Sequence, residues 1–354
     1  MFAVELNSAS KSFSFNQVIK DLSLSLEKGR FYALLGQNGA GKSTLIKLLM
    51  RYSVLTSGSG RVLGVPLDED SDRLGRMVAY VSEDIDYVLP ITISEFFAFY
   101  RALHPRWNQD EFDANLKALS INPTKTFAEL SRGQKMQVAL SAALATRCEL
   151  LLLDEITAVL DAFARSHFLK ILRNRVDAGG TVLLSTNMVT EVHEFATDVV
   201  LLADGRTHLV APVAEVGSHF RKLRQPKGVQ HPIFADPDCM EIGLNSDGSV
   251  SFIMNLECAA RYTISPELLD RRKVTLSDAF IYYTKSRTSA GKPSCALGSS
   301  PWACRAAGWR LRWCMWQACW DFTFRRIIFS KICPGCWLSP YRGYALPPRS
   351  IWLR

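Results

Sequence analysis

The sequence predicts an α/β fold built on a mostly parallel central sheet, with an antiparallel β subdomain and an inserted helical subdomain. Three observations predict it. A glycine-rich loop, Gly36-Gln-Asn-Gly-Ala-Gly-Lys-Ser-Thr44, lies between the apolar run Phe31-Tyr-Ala-Leu-Leu35 and the apolar stretch Leu45-Ile-Lys-Leu-Leu-Met50. The run Leu150 to Leu153 is wholly apolar and ends in Asp154 and Glu155, the form of a central parallel strand buried on both faces. Thr181-Val-Leu-Leu-Ser185 and Val199-Val-Leu-Leu202 repeat that form after intervening helical stretches. Strands alternating with helices make a parallel sheet covered on both sides.

The elements follow in order. Phe2, Val4 and Leu6 alternate on one face and Leu22, Leu24 and Leu26 on another, broken by a Lys28-Gly29 turn, which reads as half-buried antiparallel strands. After the glycine loop come a helix to about Arg51, a turn at Ser57-Gly58-Ser59-Gly60 and a strand from Met77 to Val81. From Ile93 to Ala145 the period is helical, including Glu95 to Tyr100 and Phe112 to Leu119, with loops at Pro90, Pro105 and Pro123. This is the inserted helical subdomain, about 84–146. Beyond Gly205 the pattern changes to a hairpin around Asp247-Gly248 and short helices opening at Ser265-Pro266-Glu267 and at Ser277-Asp278. The expected division is a main domain over 1–210, a small α+β module over 211–287 and an atypical tail over 288–354.

Composition separates the tail from the rest. Residues 1–287 carry 32 Lys and Arg against 33 Asp and Glu, whereas 288–354 carry 10 against the single Asp321. The formal charge of +8 thus belongs to the tail, and the main domain lacks the basic footprint of a nucleic-acid binder. Cys148, Cys239 and Cys258 are scattered through the first part, as in a reduced cytosolic protein, while six cysteines and seven tryptophans crowd the tail. Such an abrupt change fits a shifted reading frame or a fused neighbour. The functional alternatives are a metal site at Cys333-Pro-Gly-Cys336 with Cys314 and Cys319, or a basic-aromatic membrane-surface segment. The chain opens without a basic-then-apolar signal segment, and no run reaches the roughly 18 uncharged apolar residues that a membrane span needs.

The glycine loop carries the first chemistry. Glycines at Gly36, Gly39 and Gly41 let the backbone N–H groups from Asn38 to Thr44, Ala40 included, curl around phosphates. Lys42 reaches the β- and γ-oxygens, and Ser43 offers a hydroxyl to Mg²⁺. The chain therefore binds a nucleoside triphosphate. Asp154 suits a Mg²⁺ ligand, and Glu155 suits the base that polarises water in line with the γ-phosphate.

Between these motifs stands Leu130-Ser-Arg-Gly-Gln134, opening a helix over Lys135 to Thr146. Here the sequence resembles the ATP-binding subunits of ABC transporters, whose Leu-Ser-Gly-Gly-Gln signature it matches except at Arg132. The resemblance covers about residues 2–286 and implies a phosphate-loop ATPase of ABC type. It places Phe13 against adenine and Val159-Leu160-Asp161 at a dimer contact. It implies a head-to-tail dimer in which Ser131, Gly133 and Gln134 of one subunit meet the γ-phosphate held by Lys42 of the other, with Asp161 communicating across. The physical basis is that a helix N terminus is an anion site; an ordinary helix cap is the alternative. The segment Thr275-Leu-Ser-Asp-Ala-Phe-Ile-Tyr-Tyr-Thr284 resembles the close of ATPases from export systems.

Two positions depart from the family pattern. Glu83 stands where a Mg²⁺-contacting glutamine is expected, and no glutamine lies between Arg76 and Asn108. A carboxylate still ligates Mg²⁺ but adds negative charge near the γ-phosphate. Asn187 stands where a histidine would hold the γ-phosphate, and an amide donates a hydrogen bond without carrying a proton. His193 reads as a surface residue. The resemblance implies an ATP-hydrolysing export subunit at the cytoplasmic face of the cell membrane, partnered by membrane-spanning permease subunits and a second ATP-binding subunit, identical or different. The alternatives are an ATP-gated partner subunit with little hydrolysis, and a soluble ATPase of this type acting on ribosomes or DNA.

Overall fold

The computed structural model of the chain describes residues 1–69, 73–84 and 91–285. It begins with β1 (Phe2–Phe13), β2 (Asn16–Glu27), β3 (Phe31–Leu35), α1 (Lys42–Leu49), β4 (Ser57–Val62), β5 (Val65–Pro66), α2 (Arg73–Met77) and β6 (Val78–Ser82). Three helices follow: α3 (Ile93–Leu103), α4 (Gln109–Ala118) and α5 (Arg132–Ala145). The chain returns through β7 (Leu150–Asp154), α6 (Ala162–Asp177), β8 (Thr181–Thr186), α7 (Val189–Phe195), β9 (Asp198–Ala203) and β10 (Arg206–Pro212). It ends in β11 (Phe220–Gln225), β12 (Met240–Leu244), β13 (Val250–Asn255), α8 (Leu256–Ala259) and α9 (Leu276–Lys285).

The central sheet has the order β10-β9-β3-β8-β7-β6. Its strands β9, β3, β8, β7 and β6 run parallel and β10 closes one edge antiparallel. Every residue of β3, β7, β8 and β9 is buried, which is why these strands read as unbroken apolar runs. The register pairs Asp154 with Ser82 on one side and Ser185 on the other. Carboxyl ends of β3, β7 and β8 therefore lie side by side, the position where open α/β sheets bind ligands.

A second sheet, β2-β1-β4-β5, is antiparallel, as the alternation at the start predicts. Two expectations need correction here. Ser57 to Gly60 form strand β4 rather than a turn: Gly60 lies opposite Leu6, and a Cβ on it would sit 2.5 Å from Leu6 Cδ2. The small residues serve close strand approach. Phe2 is 41% exposed, because a register shift between Phe2 and Val4 turns Ala3 and Val4 inward instead.

The helical stretch is held by ring packing. Phe97 meets Tyr100, Trp107, Phe112 and Phe127 at centroid distances of 5.6, 5.9, 4.8 and 6.2 Å. Thr92 and Glu95 form a reciprocal capping box at the start of α3. His104 is buried against Tyr100, 4.4 Å between centroids, and burial pulls its pKa down to about 4. Pro105 and Pro123 stand between helices as expected, while Pro90 lies outside the described residues.

Strand β10 continues to Pro212, opposite Asp198, so the central sheet reaches slightly past residue 210. Beyond it β11-β13-β12 form a third sheet over a core that includes Leu223, Ile233, Phe252 and Met254. The expected hairpin at Asp247-Gly248 joins β12 to β13. Of the two short helices expected here, the first is a single turn over Pro266–Leu268. The second, α9, is capped at Thr275 rather than opening at Ser277: Thr275 Oγ1 accepts from Asp278 N at 3.2 Å and Asp278 Oδ2 from Thr275 N at 2.9 Å. Among the described residues no helix is long and apolar enough to cross a membrane. The Trp- and Cys-rich segment 288–354 lies outside the described residues.

Candidate active site

Strand β3 delivers the chain to Gly36, which passes beneath β9 so closely that a Cβ would lie 2.5 Å from the Leu202 carbonyl oxygen. The loop exposes Asn38 and Gly39, buries Ala40, and enters α1 through Gly41 at φ 105°. That left-handed conformation strongly favours glycine, and no side chain caps the helix. Orphan N–H groups of the first turn of α1 are thus left for an anion. Lys42 is 3% exposed; its Nζ donates to Gly36 O at 2.8 Å and Gln37 O at 3.2 Å and pairs with Glu155 Oε1 at 3.0 Å. Ser43 and Thr44 are half-buried behind it.

Asp154 closes β7, with a carboxylate that accepts from Ser185 Oγ at 2.5 Å and also bonds to Ser43. Burial pushes its pKa above the ordinary carboxylate range, partly offset by the bonds from Ser185 and Ser43 and by nearby Lys42, while Glu155 adds to the rise. Glu155 itself has a left-handed backbone, φ 52°, fixed by its N–H donating to Ser185 O at 3.2 Å and Oγ at 3.1 Å. Glu83 follows β6 and donates its N–H to Asp154 O at 3.0 Å. Its pKa is raised by burial first and then by Glu155, Asp84 and Asp154, with Arg132 opposing.

The motif before α5 has two parts. Ser131 Oγ accepts from Gln134 N at 3.2 Å and Gln134 Oε1 accepts from Ser131 N at 3.1 Å, a capping box that starts α5 at Arg132, three residues earlier than the expected Lys135. Gly133 lies against Val159, whose carbonyl oxygen would be 3.5 Å from a Cβ there. Gln137 Nε2 donates to Asp161 Oδ2 at 3.3 Å, and Asp161 Oδ1 caps α6 through Ala164 N at 2.8 Å. Arg132 extends to Glu83, with Nη2 donating to its backbone oxygen at 3.3 Å and lying 3.7 Å from Oε2.

The structure thus gathers Lys42, Ser43, Asp154 and Glu155, with Glu83 at the edge. It places the others further out. Phe13 is 49% exposed on the β1–β2 hairpin with Lys11 Nζ 4.8 Å from its ring centre, and Asn187 is exposed at the end of β8. His193 is exposed, as expected. Sequence reading missed Ser185, whose only signal was a hydroxyl closing an apolar strand, and the meeting of Arg132 with Glu83. Ser43 and Asp154 are already in hydrogen-bond contact and are hard oxygen donors, which fits a Mg²⁺ ion.

A glycine loop at a helix start, a cradled lysine and paired acids at the next strand end define a P-loop nucleoside triphosphatase. The ABC transporter family profile matches residues 19–158. The chain is 28% identical over 222 residues to the ABC transporter ATP-binding protein YtrB of Bacillus subtilis, covering 62% of this chain and 76% of that protein. It is 30% identical over 213 residues to the Nod factor export ATP-binding protein I of Rhizobium etli, covering 58% and 67%. Some relatives are longer: the chain spans 57% of the methionine import ATP-binding protein MetN of Bifidobacterium longum, at 28% identity over 63% of this chain. Among solved structures, a dimeric ATP-binding cassette in a post-hydrolysis state with ADP and Pi shares the fold, with a TM-score of 0.53, 21% identity, and coverage of 59% of this chain and 98% of that one. The chain belongs to the ABC transporter family, as an ATP-binding subunit.

Proposed function

We propose that this chain hydrolyses ATP for an ABC exporter, coupling ATP binding and hydrolysis to movement in separate membrane-spanning permease subunits at the cytoplasmic face of the membrane. The observation that carries the reading is the convergence of Lys42, Asp154 and Glu155 on the loop Gly36–Thr44. Backbone N–H groups of the loop and Lys42 bind the β- and γ-phosphates, and Phe13 stacks on adenine. Ser43, Asp154 and Glu83 would hold Mg²⁺, which would neutralise phosphate charge. Lys42 now shares its charge with Glu155, so phosphate binding at Lys42 frees that carboxylate to polarise water and take its proton.

Ser131 and the Gly133 N–H, with Gln134 and Asp161 beside them, contact the γ-phosphate bound by a second ATP-binding subunit, so two ATP molecules close the pair. Export rather than import is supported by the resemblance of Thr275 to Thr284, while the relatives include both kinds. Asn187 orients the γ-phosphate through one amide bond but holds no proton, which slows turnover. Phosphate release from MgATP tests this: turnover should be measurable, lost in Lys42→Ala and raised in Asn187→His. Equal turnover in Asn187→His would overturn the slowed cycle. Tight ATP binding with no turnover in either protein would favour an ATP-gated partner subunit, the second reading that Glu83 and Asn187 support.

A further inference from the structure

We infer that Arg132 is the counter-charge of Glu83 within one subunit, the two side chains acting as a matched pair that keeps the nucleotide site receptive to ATP. This deepens the function proposed above and rests on ATP binding at Lys42. Each residue puts a charge where the resembled family carries a neutral side chain, and the two changes stand 49 residues apart in sequence. In the fold they meet. Arg132 Nη2 donates to the Glu83 backbone oxygen at 3.3 Å and lies 3.7 Å from its carboxylate.

The setting explains why a partner is needed. The Glu83 N–H is bound to the Asp154 carbonyl, so Glu83 cannot leave the neighbourhood of Asp154, Glu155 and Asp84. The buried cation among them, Lys42, is already shared with Glu155. In the absence of Mg²⁺ an unbalanced Glu83 carboxylate would stand close to where a polyphosphate must bind and would oppose it. Arginine is suited to the task because its fixed charge reaches the carboxylate while the same Nη2 donates to the backbone oxygen. Side-chain exposures of 61% for Arg132 and 39% for Glu83 make the pair a weak source of stability and a salt-sensitive one. Its effect belongs to ligand binding. Arg132 is a positioning residue, acting on ATP through Glu83.

The test is a double-mutant cycle on binding of ATP in EDTA at low ionic strength, by titration calorimetry on the full chain. Arg132→Gly should weaken binding about threefold or more when Glu83 is present and leave it unchanged in the Glu83→Gln background. Arg132→Lys should recover at least half of the loss, and the loss should vanish in about 0.5 M salt. Equal losses in both backgrounds would mean that Arg132 acts on nucleotide directly, and no loss in either would mean that the pair is idle; both overturn the inference. Additivity in a protein that binds ATP sinks only the pairing, whereas a wild-type chain that binds no ATP sinks the proposed function with it. Thermal melts of Glu83→Gln and Arg132→Lys should match the wild type and that of Arg132→Gly, at the first residue of α5, should fall by no more than about 2 °C, which guards against misfolding.

Discussion

Substitution of Ser131 separates the two jobs that its hydroxyl is given. Within one subunit it caps α5, a 14-residue helix with ten buried residues, through the reciprocal bonds with Gln134. Losing an N-cap hydroxyl costs about 1 kcal/mol, which in a chain of this size lowers Tm by about 1–2 °C. Across the proposed dimer the same oxygen contacts the γ-phosphate, and removal of one donor to a transition-state oxyanion lowers turnover by about a hundredfold. Ser131→Ala should therefore show both losses in a thermal scan and a phosphate-release assay. Ser131→Asp should divide them: aspartate caps as well as serine, and its charge favours a helix N terminus, so Tm should hold. The same charge faces a phosphate, so turnover should be abolished while ATP binding to the isolated subunit persists. Wild-type turnover by the Ser131→Asp protein would refute the γ-phosphate role and leave Ser131 as a cap alone.

Two further outcomes follow from buried titratable groups. The Asp154 pKa is raised chiefly by burial, so the ionised carboxylate opposes folding, and its contribution present at low pH is lost as pH rises through the folded value. Asp154→Asn should accordingly raise Tm at pH 7 in the metal-free protein while abolishing MgATP hydrolysis, the gain shrinking toward pH 4; a lowered Tm would contradict this. His104 has the opposite sign, its pKa being lowered from 6.5 to about 4, so its stabilising neutral form is complete above pH 6.5 and up to about 3 kcal/mol is lost as pH falls toward 4. His104→Phe should flatten the fall of Tm between pH 7 and 5, and an unchanged slope would place the acid sensitivity elsewhere.

Much of this site was legible because its chemistry is bound to local spacing. The loop Gly36–Thr44 and the acids after Leu153 each sit within one strand and its following turn, so order along the chain places them correctly. Ser57 to Gly60 misled because glycine marks turns more often than close strand pairs, and only the register with β1 reveals which applies. The start of α5 was legible in principle, since serine followed by glutamine three residues on is a capping box. Ser185 against Asp154, Lys42 against Glu155 and Arg132 against Glu83 were not. The first follows from the register of β7 on β8, the second from β3 lying beside β8, and the third from α5 reaching the end of β6, and nothing in local spacing encodes them.

ATP turnover by Glu155→Gln tests the central claim most directly. Glutamine removes the base that takes the proton from water and also the carboxylate that holds Lys42 at 3.0 Å. The expected result is ATP binding at least as tight as in the wild type, with turnover reduced by about 10²-fold or more. Turnover within twofold of the wild type would show that Glu155 is not the base and that the site works by another route.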